Sequence, residues 1–146
     1  MAGTTAAALK TALKTAMAAD VGLVNIPISY GDPGDLGRTE HIWMGAAEEG
    51  SSEPTGMRSS RKRREEEYVF DVVVEVSSKA RPESNEARAV VLGTIIEELI
   101  ADDPKISNTT NLLWVMLDSF ELDTTELSEG PRTVFTLTLR AKGRLL

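Results

Sequence analysis

The run from Tyr68 to Val76 constrains the fold more than any other stretch of the chain. Tyr68, Phe70, Val72, Val74 and Val76 occupy every second position, a period that a pleated strand satisfies and a helix does not. Aromatic and β-branched side chains favour the same geometry. The intervening positions mix Val69 and Val73 with Asp71 and Glu75, so the second face is only half buried. Such a strand belongs in a sheet that is covered by helices on one side.

The rest of the chain supplies the partners. Leu9, Leu13 and Met17, with Ala6 and Ala12 beside them, predict a helix that Thr4 or Thr5 caps and that ends near Ala19. Val24, Ile26, Ile28 and Tyr30 alternate with Asn25, Pro27 and Ser29. This predicts a strand, and Pro27 assigns it to a sheet edge because proline cannot donate to a ladder. Gly31 to Gly37 is turn chemistry, followed by a short strand, His41 to Met44, that stops at Gly45. Pro82 is placed to start a helix from about Glu83 to Ala101, with apolar rows Ala87, Val91, Ile95, Leu99 and Leu92, Ile96, Ile100.

Two more strands close the chain. Leu112 to Leu122 is apolar on both faces at first. Thr133 to Ala141 alternates, pointing Phe135, Leu137, Leu139 and Ala141 inward. The expected fold is α+β: a mostly antiparallel sheet of about five strands with two helices on one face, in the order α-β-β-arm-β-α-β-β. At 146 residues this is one domain, 1–146.

The arm is residues 46–66, with almost no apolar content. About 20 residues without structure inside a domain are unusual and tend to be functional or disordered. Glu48, Glu49 and Glu53 open it, Arg58, Arg61, Lys62, Arg63 and Arg64 follow, and Glu65, Glu66 and Glu67 close the charge pattern. The glutamates are expected to offset much of the basic field beyond a Debye length of about 8–10 Å. No aromatic residue interleaves the basic run to stack bases, which favours a solvated or partner-binding arm over a nucleic-acid contact.

Composition narrows the chemistry. The chain has no cysteine, which excludes disulfides, thiolate catalysis and cysteine-ligated metals. Its 16 basic and 23 acidic residues give a net charge of −7, the wrong sign for a general nucleic-acid binder. His41 is the only histidine, and no G-x-S-x-G elbow accompanies it. Asp102, Asp103, Asp118, Glu121 and Asp123 follow no recognised metal-loop spacing. The glycines of GDPGDLG match no phosphate-binding pattern. Lys10 and Lys14 interrupt the alanine-rich start, so no signal sequence and no membrane span is expected. These features fit a protein with no cofactor, no metal and no catalytic role.

Several segments, in order, resemble tail terminator proteins of long-tailed bacteriophages. They are the opening helix, VNIPISYGDP, EHIWMG, EYVFDVVVEV, ARAVVLGTIIEELIADDP and TVFTLTLRAKGRL, with Tyr30-Gly31 and Glu40-His41-Ile42-Trp43 the most suggestive. The resemblance covers nearly the whole chain except the arm. It implies a small subunit that assembles as a six-membered ring on the finished tail tube. Such a ring stops polymerisation of the major tail tube protein and presents the surface to which the head, through its head-completion or neck protein, docks. DNA passes through the central hole without specific binding, and nothing is catalysed. The implied location is the neck end of the virion tail, after assembly in the host cytoplasm.

No residue-level contact carries over from the family. Arg58, Arg61, Lys62, Arg63 and Arg64, together with Pro27 on its edge strand and Trp43, are the candidate assembly residues. A closed ring needs one patch to meet a different patch on the next subunit. Three alternatives have separate signatures: a head-completion or connector protein with twelve-fold order, a DNA-binding domain using the basic run, and a small hydrolase built on His41.

Overall fold

The computed structural model describes residues 4–34, 39–48, 52–55, 63–79 and 81–145, of which 52–55, 63–64 and 145 are described as backbone only. Helix α1 spans Ala6–Ala19, and a single 3₁₀ turn, Val21–Leu23, follows it. Strands β1 (Ile28–Ser29), β2 (Glu40–Met44), β3 (Ser52–Thr55) and β4 (Arg63–Ser77) lead to helix α2 (Pro82–Asp102). Strands β5 (Leu112–Leu127) and β6 (Gly130–Leu145) form the closing hairpin. The sheet order is β1-β2-β4-β6-β5, and β3 pairs with the first residues of β4. Every pairing is antiparallel except β1 with β2. The architecture is therefore the α+β arrangement expected, with a mixed but mostly antiparallel sheet.

Both helices contribute to one core on one face of the sheet. The alternate residues of β4 from Tyr68 to Val76 are buried there, beside Phe135, Leu137, Leu139 and Ala141 of β6. Helix α1 adds Leu9, Leu13 and Met17 as its pattern predicts. Helix α2 buries its expected row Leu92, Ile96 and Ile100 and packs Ile95 and Leu99 against the core, but the start of the other row, Ala87 and Val91, turns outward to solvent. It also buries Asn85, Ala89 and Gly93, whereas Val91 is 50% exposed. Gly93 explains the rotation. A side chain there would collide with the Phe135 ring, so the helix rests its bare backbone on that ring. Asn85 fixes the helix start, accepting from Ser78 Oγ at 2.6 Å and donating to the Pro131 carbonyl at 3.0 Å.

Three boundaries differ from the sequence pattern. The predicted strand from Val24 to Tyr30 contracts to Ile28–Ser29, because Asn25 is left-handed at φ 66° and Ile26 N bonds back to Leu23 O. Strand β5 loses simple alternation through two bulges, at Leu112/Trp114 and Leu117/Ser119. Each inserts an extra residue and reverses which parity faces the helices. The arm, finally, is partly strand. Ser52–Thr55 pairs with Arg63–Glu66, of which Arg64–Glu66 pair in turn with Gly143–Leu145. Both faces of this ladder carry polar residues, so hydrophobic periodicity could not reveal it. Gly31 to Gly34 forms the expected turn, with Gly34 N donating to Asp32 Oδ1 at 2.8 Å; residues 35–38 lie outside the described residues.

Candidate assembly surfaces

Three regions stand outside the shared core: the stem of the β3–β4 hairpin, the helix-free face of the sheet, and the outer strand β5. The stem is tied to helix α1. Glu66 Oε1 accepts from Thr5 N at 2.6 Å, Thr5 Oγ1 at 2.8 Å and Thr4 Oγ1 at 3.0 Å. Thr5 is the cap residue by position but makes no side-chain cap bond within the helix; Thr4 Oγ1 accepts from Ala6 N instead. The carboxylate of a distant strand thus satisfies the helix N-terminus and places negative charge at its positive end. Tyr68 lies 2.9 Å from Thr5 Oγ1. The Thr5 proton goes to Glu66, which only accepts, so the Tyr68 hydroxyl is the donor in that pair. Burial, reinforced by the Glu66 charge, pushes the Tyr68 phenol up to about 12. Gly143 makes room for the contact, since a Cβ there would approach Thr5 Oγ1 to 2.5 Å.

On the helix-free face, β4 and β6 carry opposite charges. Lys142 Nζ lies 3.1 Å from Glu65, and Arg140 lies 3.6 Å from Glu67 and 3.2 Å from Asp118. With Glu66 at the helix, all three glutamates that follow the basic run are engaged by other partners. The side chains of the basic run itself lie outside the described residues.

At the other end of the same face, Glu75 is shared. Its Oε2 lies 2.8 Å from His41 Nε2, and its Oε1 accepts from Arg132 at 2.6 Å and from Trp43 Nε1 at 3.4 Å. His41 and Glu75 are each only 7% exposed. His41 Nδ1 is buried and makes no hydrogen bond among the described residues, where Glu75 is the partner that holds the ring. No alcohol or thiol nucleophile bonds to it among the described residues.

The candidate residues do not form one site. Pro27 precedes β1 and is half buried, its carbonyl accepting from Ile42 N at 2.9 Å. Trp43 is half buried in β2, opposite Val73. Arg63 and Arg64 begin β4, opposite Thr55 and Pro54. Val73 lies ten residues from Arg63 on β4, about 33 Å at strand rise. Arg58, Arg61 and Lys62 lie outside the described residues. Lys10, expected only to interrupt an apolar run, is buried instead and sits 4.1 Å from the centre of the Tyr30 ring, a cation–π contact. Burial holds its ammonium below the usual lysine range.

The acidic residues of β5 form a line, not a cage. Asp118, Glu121, Asp123 and Glu126 follow one another along the strand, all exposed. Among the described residues no group of three or more His, Cys, Asp or Glu is arranged to hold a metal ion. No helix among them is long and apolar enough to cross a membrane.

No protein-family model matches the chain, and no curated protein matches it. Among solved structures, it is similar to a chain described under "Virion of native gene transfer agent (GTA) particle". The TM-score is 0.59 at 15% identity, over 96% of this chain and 97% of that one. At this identity the likeness is one of fold.

Proposed function

We propose that the chain is a structural protein of a phage-like virion and acts as a tail terminator. In this role it forms a six-membered ring on the end of the tail tube, stops addition of tube protein, and offers the surface on which the neck docks. The observation that carries the proposal is the end-to-end likeness to a virion chain, with 96% of one and 97% of the other covered. The ordered sequence resemblance to tail terminators supports the same role independently. The basic hairpin, Pro27 and Trp43 are the residues assigned to assembly, and DNA crosses the ring without specific contact.

Electron microscopy of the purified protein across a concentration series, followed by addition to growing tail tubes, tests the proposal. Six-fold rings that halt tube growth are the expected result. Twelve-fold rings transfer the assignment to a connector of the neck. A protein that neither forms rings nor stops tube growth refutes the terminator role.

A further inference from the structure

Three large apolar residues are more exposed than any other among the described residues: Val21 at 88%, Phe120 at 67% and Val24 at 63%. They fall at two places, on opposite flanks of helix α2. One flank faces β2 and the 3₁₀ turn. Arg88 pairs there with Glu40 of β2 at 2.7 Å, and Gly22 lies so close that a Cβ on it would approach Ile95 Cδ1 to 2.8 Å. The other flank faces β5. Glu86 Oε1 accepts from Thr124 Oγ1 at 2.7 Å, and Val90, one turn on, lies on the same side of the helix.

Val21 and Val24 stand on a turn that is fixed from beneath. Leu23, between them, is buried in the core. Asp20 Oδ1 accepts from Gly22 N at 2.8 Å, Asp20 O accepts from Leu23 N at 3.1 Å, and Ile26 N returns to Leu23 O at 3.2 Å. The two valines form a knob whose shape is set before any contact is made, so docking it costs little ordering. Apolar side chains clustered and fixed in water mark a contact surface. From Val21 to Gly31 the chain carries no charge, and from Thr4 to Ala19 its charges are Lys10 and Lys14 alone. Lys14 is exposed and makes no ion pair among the described residues.

On the opposite flank Phe120 and Leu122 share the helix side of β5, opposite Leu137 and Phe135. The Phe120 ring lies tilted on that of Phe135, centres 5.9 Å apart. With Val90, also exposed, they make an apolar shelf, and among the described residues no strand pairs with the outer edge of β5 to cover it. Its surroundings are acidic. Glu126 follows on the same face of β5, Glu121 and Asp123 flank it on the reverse face, and Glu97 stands on α2 two turns on from Val90. All four are exposed, and none makes an ion pair among the described residues. From Asp118 to Pro131 the chain carries no basic residue.

We infer that the Val21–Val24 knob of one copy seats on the Phe120, Leu122 and Val90 shelf of the next copy. Charge and shape select this occupant. Shelf on shelf would set the acids of β5 against the same acids of the partner, which like-charge pairs oppose. Knob on knob would set a convex surface against itself and bring Lys14 toward its own copy. Knob on shelf covers the apolar residues of both and brings the lysine-bearing helix α1 to the acidic rim. The two surfaces lie on opposite flanks of one helix, so the contact is head-to-tail, the kind from which closed rings are built. The inference rests on the ring proposed above and specifies two surfaces through which its subunits meet.

Mixing two defective variants tests it. V21E/V24E spoils the knob and keeps the shelf; F120E/L122E spoils the shelf and keeps the knob. Each alone should need about tenfold more protein, or beyond, to assemble. In an equimolar mixture one sound contact remains per pair, so native mass spectrometry should find 1:1 dimers and no rings. K14E should weaken assembly about threefold at about 0.05 M salt. The chain has no cysteine, so V24C/L122C gives a second reading that leaves Phe120 in place. A short bismaleimide should join its rings into a covalent ladder, and neither single cysteine should give one.

Folded variants, by circular dichroism, that each assemble as the wild type does place the contact elsewhere and leave the ring standing. Folded variants that fail alone and form no 1:1 dimer when mixed, or V24C/L122C rings that give no ladder, overturn the pairing of knob with shelf. Loss of assembly in F120E/L122E alone gives the shelf to another occupant. A K14E ring as strong as the wild type at low salt overturns the selection by charge. A wild-type chain that forms no ring at any concentration or on tail tubes overturns the ring itself.

Discussion

Replacing Glu66 tests how the hairpin stem and the first helix hold each other. In Glu66→Ala three hydrogen bonds to one carboxylate oxygen disappear. The Thr4 hydroxyl is only partly buried and can turn to water, and the Thr5 hydroxyl keeps Tyr68 as a neighbour. The Thr5 N–H is the group left buried without a partner, at about 1–3 kcal/mol. Loss of the negative charge at the helix N-terminus adds about 1 kcal/mol. Relief of a buried carboxylate offsets part of this, leaving a destabilisation of about 3 kcal/mol. Glu66→Gln keeps an acceptor and loses only the charge, about 1 kcal/mol. Urea unfolding followed by far-ultraviolet circular dichroism reads both. With an m-value of about 2 kcal/mol/M the midpoints fall by about 1.5 M and 0.5 M. Equal midpoints for the two variants would show that the carboxylate caps nothing, and a loss below about 1 kcal/mol for the alanine would remove it as the clamp.

Tyr68 predicts an alkaline limit to stability. Its folded pKa of about 12 exceeds the ordinary 10.0, so its contribution is complete below pH 10 and is lost as pH rises through 12, in total about 2–3 kcal/mol. Unfolding free energies measured from pH 9 to 12 should fall along that limb and flatten in Tyr68→Phe; an unchanged slope in the variant would assign the loss to other groups. Gly93→Ala should destabilise by about 1–3 kcal/mol despite alanine's better helix propensity, because the methyl group meets Phe135. A rise in melting temperature would mean the helix does not rest on that ring. Glu75→Leu should cost about 2 kcal/mol by leaving the His41 Nε2–H without its acceptor, and the double change His41→Phe/Glu75→Leu should recover most of it; strictly additive losses in a double-mutant cycle would deny the coupling.

What the sequence disclosed follows from the range of each interaction. Helix α1 and the inner faces of β4 and β6 were legible because their burial follows the local period. Strand β1 was overestimated because one left-handed residue, Asn25, outweighs an alternating pattern. On α2 the row Leu92, Ile96 and Ile100 is legible, whereas the outward turn of Ala87 and Val91 is not, because counting apolar side chains cannot credit Gly93, whose value is the side chain it lacks. Both bulges of β5 look locally like a strand buried on two faces. The assembly surfaces were half legible. The basic run and the edge position of Pro27 stand out in the sequence. That Glu65, Glu66 and Glu67 are committed elsewhere depends on residues up to 79 positions away, which no window along the chain contains.

The long register between β4 and β6 has a mechanical consequence. From Arg64 with Leu145 to Ser77 with Arg132 the ladder is unbroken, and its hydrogen bonds lie across the strand direction. A pull on the β3–β4 hairpin along β4 therefore loads them together, in shear. A pull at the β5–β6 turn opens its ladder one pair at a time, starting from Leu127 and Gly130. The same sheet is stiff when gripped at one end and easily unzipped from the other.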